Sequence, residues 1–290
     1  MKILVTGACG QLGRTLMDIK DEDRHQYIFT DAYPAMDGVL PLDICDADAV
    51  DRMVGDNGVQ VIVNCAAYTD VAKAETQEDT AFKVNAEAPG ALAKAAARSG
   101  AVLIHISTDY VFDGKSAVAY GEDAEPAPLS AYGRSKFAGE LAVLASGCRH
   151  IIIRSAWLFS RYGKNFVKTI LEKTSSQPSV KVVEDQIGTP TFAGDLAEFI
   201  MYIIDNDMLD KEGVYNYTNE GVCSWYDLAW EVCDLSGHLC DVIPCKTSDF
   251  PTGVVRPAFS VLDKTKVKQT FLIEIPHWKD SLRFCMANMA

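Results

Sequence analysis

The sequence predicts an α/β fold, a doubly wound parallel sheet followed by a smaller C-terminal lobe. Three observations carry this. Short apolar, β-branched runs alternate with helix-like segments up to about residue 156. A glycine-rich turn, Gly7 to Gly13, joins the first run to the first helix. After Trp157 the alternation loosens and prolines recur. Residues 1–156 are therefore expected to form the sheet domain. Residues 157–290 are expected mainly to form a second lobe, with some segments returning to the first.

Lys2–Thr6 is apolar and β-branched, which predicts a buried strand. Arg14–Ile19 reads as a helix, Tyr27–Asp31 as a second strand and Asp46–Val54 as a helix led by Asp46 at its positive end. Val59–Val63 is the third expected strand. Ala81–Arg98 is alanine-rich and helical, with Pro89 predicting a kink or two abutting segments. Val102–Ile106 and Ile151–Arg154 are further strands, and Ser130–Leu144 is the helix between them. Beyond them, helices are expected over 165–172, 191–204 and 224–236, and strands over 180–183 and 214–217. Residues 239–264 hold Pro244, Pro251 and Pro257 among polar residues and are expected to be mostly loop.

The chain has 290 residues and a formal net charge of −13. Such a length buries a sizeable core. The acidic balance, with no basic run, argues against nucleic acid as partner. Nine scattered cysteines without a Cys-x-x-Cys pair read as reduced thiols. No apolar run is long enough to span a bilayer, and no signal-peptide pattern precedes the first strand. A cytoplasmic protein is expected.

Gly7-Ala8-Cys9-Gly10-Gln11-Leu12-Gly13 has the spacing Gly-x-x-Gly-x-x-Gly. Glycines let backbone approach a pyrophosphate, and the helix that follows offers free N–H groups to it. A strand, this turn and a helix predict a Rossmann-type dinucleotide site, with Gly7, Gly10, Gln11, Leu12 and Gly13 on the cofactor. Asp31 ends the second strand, about 20 residues on, where an acid bonds the adenosine ribose hydroxyls. Asp31 favours NADH, whereas Arg14 would suit the 2′-phosphate of NADPH, so both cofactors stay open. Asp43 and Ile44 either bracket the adenine or, for Asp43, cap the next helix. Ala66, Ala67 and Tyr68 follow the third strand and would lie along the cofactor, with Thr69 and Val71 toward the nicotinamide end and the substrate.

Ser107-Thr108-Asp109-Tyr110 ends the fourth strand, where open α/β sheets bind ligands. Thr108 would hydrogen-bond a substrate carbonyl. Asp109 would accept a sugar hydroxyl or tune proton transfer, unless it caps the turn. Tyr132 and Lys136 lie four apart on one face of a helix. A free phenol titrates near 10, too high for an efficient proton relay at neutral pH. An adjacent ammonium would favour the phenolate and lower that value. Tyr132 and Lys136 would also meet the nicotinamide ribose.

Together these residues resemble the extended short-chain dehydrogenase/reductase superfamily and, within it, the dTDP-4-dehydrorhamnose reductase family. The resemblance spans nearly the whole chain. Its specific markers are Asn64 to Glu75, Ser107 to Gly114, Tyr132 to Lys136, Asn165-Phe166, Asp185 to Thr191 and Arg256-Pro257. It implies reduction by NADPH or NADH of the C4 ketone of a dTDP-4-keto-6-deoxy sugar. Tyr132 would protonate the oxygen, Thr108 hold it and Lys136 lower the tyrosine pKa. Trp157 would pack against the sugar, Tyr110 would line the substrate site, and Asn165, Gln186 and Arg256 would face the nucleotide diphosphate. Some family members dimerise through Mg2+ held by acidic residues. The segment from Asp280 to Ala290 has one acid, Asp280, so a monomer or a metal-free homodimer is expected. Two other readings share the fold: a nucleotide-sugar epimerase or dehydratase that retains its cofactor, and a non-catalytic regulatory subunit like that of methionine adenosyltransferase.

Overall fold

The computed structural model describes residues 1–250 and 253–289. Pro251, one of the prolines expected in a loop, and Ala290, at the end of the last marked segment, lie outside the described residues. Six strands of the first half are β1 (Lys2–Thr6), β2 (Gln26–Asp31), β3 (Val39–Pro41), β4 (Val61–Asn64), β5 (Val102–Thr108) and β6 (Arg149–Ser155). With Gly213–Asn216 they form one parallel sheet, in the order Gly213–Asn216, β6, β5, β4, β1, β2, β3.

Alternation along each strand sorts the core into two layers. Ile3, Val5, Val61, Val63, Ile104 and Ile151 face one side, under α1 (Gln11–Asp18) and the helices Ala193–Asp205 and Thr265–Phe271. Leu4, Ile62, Leu103 and Ile152 face the other, under α2 (Ala47–Asp56) and two helices whose ranges follow. A sheet covered on both faces explains why these strands read as continuous apolar runs. The strand order reverses between β1 and β4, and the carboxyl ends of those strands open the crevice where such sheets bind ligands.

The expected helix over Ala81–Arg98 is three pieces after the short helix α3 (Val71–Ala74). These are α4 (Glu78–Phe82), a π-helical turn (Lys83–Glu87) and α5 (Ala88–Ser99). Pro89 sits at the start of α5, where its missing N–H costs nothing. α6 (Ala131–Leu144) lies beside α5, and Ser130 caps it by accepting from Gly133 N at 3.0 Å. Asp46 caps α2 by accepting from Ala49 N.

Two further expectations need correction. β3 was not foreseen, because Val39–Pro41 is too short to show a period. Residues 239–264 are not mostly loop at their start: Asp241–Cys245, Pro244 included, is a strand paired in parallel with Ser179–Val183. A proline is tolerated there because the pair is a two-stranded sheet with open edges. The second lobe packs these strands with Phe166–Ser176, Trp225–Ser236 and Trp278–Ala287 around Phe159, Ile170, Val182, Leu228 and Leu282.

Candidate active site

The glycine turn lies where β1 and β4 end. Gly7 has φ +67°, and a Cβ there would lie 2.6 Å from Ala66 N. A Cβ on Gly13 would lie 2.4 Å from the Gly7 carbonyl oxygen. Both positions therefore exclude side chains, and the loop stays bare backbone facing the crevice. Gly10 begins α1 without any side-chain cap, and no acid stands in the first turn. The helix thus keeps its donors for an anion. Asp31 accepts from Cys9 N at 3.0 Å and Tyr33 N at 3.1 Å, which draws the end of β2 to the loop. Asn64 accepts from Thr6 Oγ1 at 2.7 Å and Ala66 N at 3.2 Å, tying Ala66-Ala67 to the same place. Bare loop, free helix end and carboxylate fit a dinucleotide.

Other cofactor candidates are packed into the fold. Leu12 and Ile44 are core residues on opposite faces of the sheet. Asp43 is exposed and accepts from Cys45 N at 2.9 Å, forming a turn ahead of the cap, which Asp46 supplies. The Arg14 guanidinium lies 4.2 Å from the Tyr162 ring centroid, and its buried Nε has no hydrogen-bond partner.

The chemistry-bearing residues converge between β5 and α6. Gly133 allows the approach: a Cβ there would lie 2.3 Å from the Tyr110 carbonyl oxygen. Thr108 donates to Asp109 Oδ1 at 3.0 Å, and its oxygen accepts from Tyr110 N at 3.2 Å. Tyr132 is half-buried, and its phenol lies near enough to Thr108 to feel its hydroxyl. Its ring meets Tyr110 edge-on at 5.5 Å. Burial pushes the Asp109 carboxyl up to about 6, with Ser260 and Thr108 pulling the other way. Its Oδ2 is buried without a hydrogen-bond partner.

Lys136 requires a correction. Its ammonium donates to the Ile106 carbonyl oxygen at 2.6 Å and is not among the groups acting on the phenol. Burial raises the Tyr132 pKa instead, with the Thr108 bond a smaller opposing effect. Desolvation therefore outweighs the lowering that Lys136 was expected to supply, and Tyr132 stays a protonated donor. Lys136 itself is drawn down to about 8 by burial, with Glu140 and then Cys65 opposing.

The expected substrate residues are spread around this centre. Tyr68 is held by Asn85 through both its N–H, at 2.8 Å, and its carbonyl, at 3.0 Å. Its hydroxyl donates to Gln77 Oε1 at 2.8 Å. Thr69 is exposed, and Val71 begins α3 behind the cap residue Asp70. The Tyr110 hydroxyl lies 3.5 Å from Arg256 Nη1, which brings Arg256 to the substrate side of Thr108. Burial pushes that phenol up to about 12, with Arg256 opposing. Trp157 takes a left-handed backbone, φ +49°, and stacks on Trp225 at 3.6 Å. Gln186 is buried and donates to Thr247 Oγ1 at 3.0 Å.

Asn165 does not face a nucleotide. Its amide nitrogen donates to Gln11 Oε1 at 3.0 Å and to the Ser160 carbonyl at 2.8 Å. Its oxygen caps Phe166–Ser176 through Lys168 N at 3.1 Å. Gln11 in turn donates to the Leu158 carbonyl at 3.3 Å. The pair fastens the glycine loop to the second lobe, and the diphosphate role expected of Asn165 is withdrawn.

Three supporting residues escaped the sequence reading. Asn85, in the π-helical turn, also donates to Ser135 Oγ at 3.0 Å and so joins the Tyr68 loop to α6. Its signal was a polar residue that is fully buried within an alanine-rich stretch. Glu75 accepts from Ala131 N at 2.8 Å and helps to start α6. Glu140 is buried against Arg154 and Ser107.

A parallel sheet with a glycine cradle at its switch point, and a Thr–Tyr–Lys cluster at the next strand end, define a short-chain dehydrogenase/reductase. The family model described as RmlD substrate binding domain matches residues 1–290. The chain belongs to that family, and its similar relatives include several dTDP-4-dehydrorhamnose reductases. One, from Aggregatibacter actinomycetemcomitans, is 38% identical over 292 residues, covering 97% of each chain. The crystal structure of another, from Clostridium acetobutylicum ATCC 824, is 40% identical with a TM-score of 0.93 and 99% of each chain covered. A third, from Bacillus anthracis str. Ames, was solved in complex with NADP. It is 32% identical with a TM-score of 0.91, covering 100% of this chain and 99% of that one.

Proposed function

We propose that this protein reduces the C4 ketone of dTDP-4-dehydro-β-L-rhamnose to dTDP-L-rhamnose with NADPH or NADH, in the synthesis of nucleotide sugars for cell-surface polysaccharide. The observation that carries the reading is the hydrogen-bonded Thr108–Asp109 pair at the carboxyl end of β5 with Tyr132 beside it, next to the glycine cradle. Residues 1–156 would hold the cofactor, and residues 157–290 mainly the sugar nucleotide.

Gly7, Gly10, Gly13 and Asp31 would hold the dinucleotide, which when bound supplies hydride to C4. Tyr132 and Thr108 do the rest at the oxygen. A ketone oxygen placed beside them accepts hydrogen bonds from both hydroxyls, once Thr108 turns its proton away from Asp109. As charge grows on that oxygen, the phenolic proton moves to it. Lys136, one helical turn further on and anchored on the Ile106 carbonyl, would meet the nicotinamide ribose. Asp109, close to its titration point at neutral pH, takes back or releases the Thr108 hydrogen bond at little cost. Trp157, Gln186 and Arg256 would border the sugar nucleotide.

The sole acid of the helix Trp278–Ala287, Asp280, is already paired with Arg283 at 3.0 Å. That supports a monomer or a metal-free homodimer. Among the described residues no helix is long and apolar enough to cross a membrane, and we place the protein in the cytoplasm.

The test is incubation with the 4-keto-rhamnose nucleotide and each cofactor, with the product identified by NMR. Rhamnose formation with consumption of NADPH or NADH is expected. Stoichiometric bound NAD with no net consumption would overturn the reductase reading in favour of epimerisation. Tyr132→Phe should retain the fold and lose about 10² to 10⁴ in rate.

A further inference from the structure

Glu140 stands four residues after Lys136, on the same face of α6, and is fully buried. Its Oε1 accepts from the Ser107 hydroxyl and from Arg154 Nε at 3.0 Å, and its Oε2 accepts from Arg154 Nη2 at 2.7 Å. Arg154 is itself buried, donates to the Glu122 carbonyl at 3.2 Å and lies over the Phe112 ring at 5.1 Å. The carboxylate is therefore held on both oxygens and cannot swing to water. It also reaches the active centre twice. Ser107 immediately precedes Thr108, and Lys136 is one helical turn away.

The other groups around this cluster leave Glu140 a distinct task. They are Tyr132 on α6, His105 on β5, Asp109 in the turn after it, Cys65 after β4, Arg154 on β6 and Glu122 in the loop before α6. Burial holds His105 neutral and pushes the Cys65 thiol up to about 12, so Cys65 supports the Lys136 charge less than Glu140 does. The Glu122 carboxylate accepts from Asn216 N at 2.9 Å, and Asp109 is occupied by Thr108. Burial draws Lys136 toward neutrality, and Glu140 is the strongest group opposing it.

We propose that Glu140 is a positioning residue for the reduction: it fixes, through Ser107, the strand end that presents Thr108, and sets a buried carboxylate one helical turn from the Lys136 ammonium. This rests on the reading of Tyr132 and Lys136 as the proton-transfer pair.

The test is the pH profile of kcat at saturating cofactor and 4-keto-sugar nucleotide, with circular dichroism and thermal melting as the control for folding. Because Tyr132 is held protonated, the alkaline limb reports Lys136. Glu140→Gln should move that limb down by about one pH unit. Glu140→Gln/Arg154→Gln leaves no unpaired buried charge and should move it less, in the same direction. The double variant decides if the single one does not fold. Glu140→Asp, which retains the charge, should keep the parent limb. Folded variants with the parent limb and the parent kcat would overturn the proposal. An inactive Tyr132→Phe together with that outcome overturns only the role of Glu140. A fully active Tyr132→Phe overturns the reading beneath it.

Discussion

Gly133 and Tyr110 are in backbone contact: the helix that carries Tyr132 touches the turn that follows Thr108, with no room for a methyl group between them. A Cβ 2.3 Å from a carbonyl oxygen cannot be accommodated without moving one of the two elements. Gly133→Ala should therefore push α6 outward and move Tyr132 away from Thr108. Overpacking of this kind costs about 1 to 3 kcal/mol. Activity should fall more than the melting temperature does, since a displacement of about 1 Å near the chemistry can cost 10²-fold. Parent-like turnover by Gly133→Ala would refute the packing argument.

Asp109 trades stability for chemistry. Its carboxyl goes from an ordinary value of 3.8 to about 6 on folding, because burial penalises the charge. Between those values the folded state binds more protons than the unfolded one, so stability is lost as pH rises through the window. Above it the cost is on the order of 2 to 3 kcal/mol. Asp109→Asn keeps the acceptor for Thr108 and should raise the melting temperature at pH 7. That gain should shrink toward pH 4, while turnover drops. A gain independent of pH would contradict this account.

Asp31 holds the glycine loop, and in the proposed reading its carboxylate would face the adenosine ribose, against a 2′-phosphate. Asp31→Ser should improve kcat/KM for NADPH relative to NADH by about tenfold, the scale of a hydrogen bond to a charged group. Steady-state kinetics with both cofactors measure it. An unchanged ratio would place the ribose elsewhere.

Asn165→Ala removes a helix cap and the tie to Gln11. The loss of the cap should cost about 1 to 2 kcal/mol. KM for the sugar nucleotide should stay near the parent value, because the amide is spent within the fold. A large rise in KM with unchanged stability would return Asn165 to the substrate site.

What could be read in the chain beforehand follows from range. Gly7 to Gly13 and Tyr132-x-x-x-Lys136 were legible because the function lies within one turn of helix or loop. Strands such as Val102–Thr108 were legible because burial on both faces leaves an unbroken apolar run. Asn165 was misread because its partner, Gln11, is 154 positions away in the chain. Glu140 passed unnoticed for a similar reason: Arg154 and Ser107 come from two different strands. The Lys136 effect on Tyr132 was misjudged because a four-residue spacing shows proximity and says nothing of desolvation.

The sheet closes with a strand from the far side of the chain. Gly213–Asn216 lies against β6, after the polypeptide has already passed through the second lobe. A fragment cut at residue 156 would thus present β6 as a bare, apolar border, open to pairing with other copies. The two halves are interleaved, and inheritance would have to exchange them together. Recombination at that seam should yield aggregates, whereas swapping a surface loop between relatives should leave a soluble enzyme.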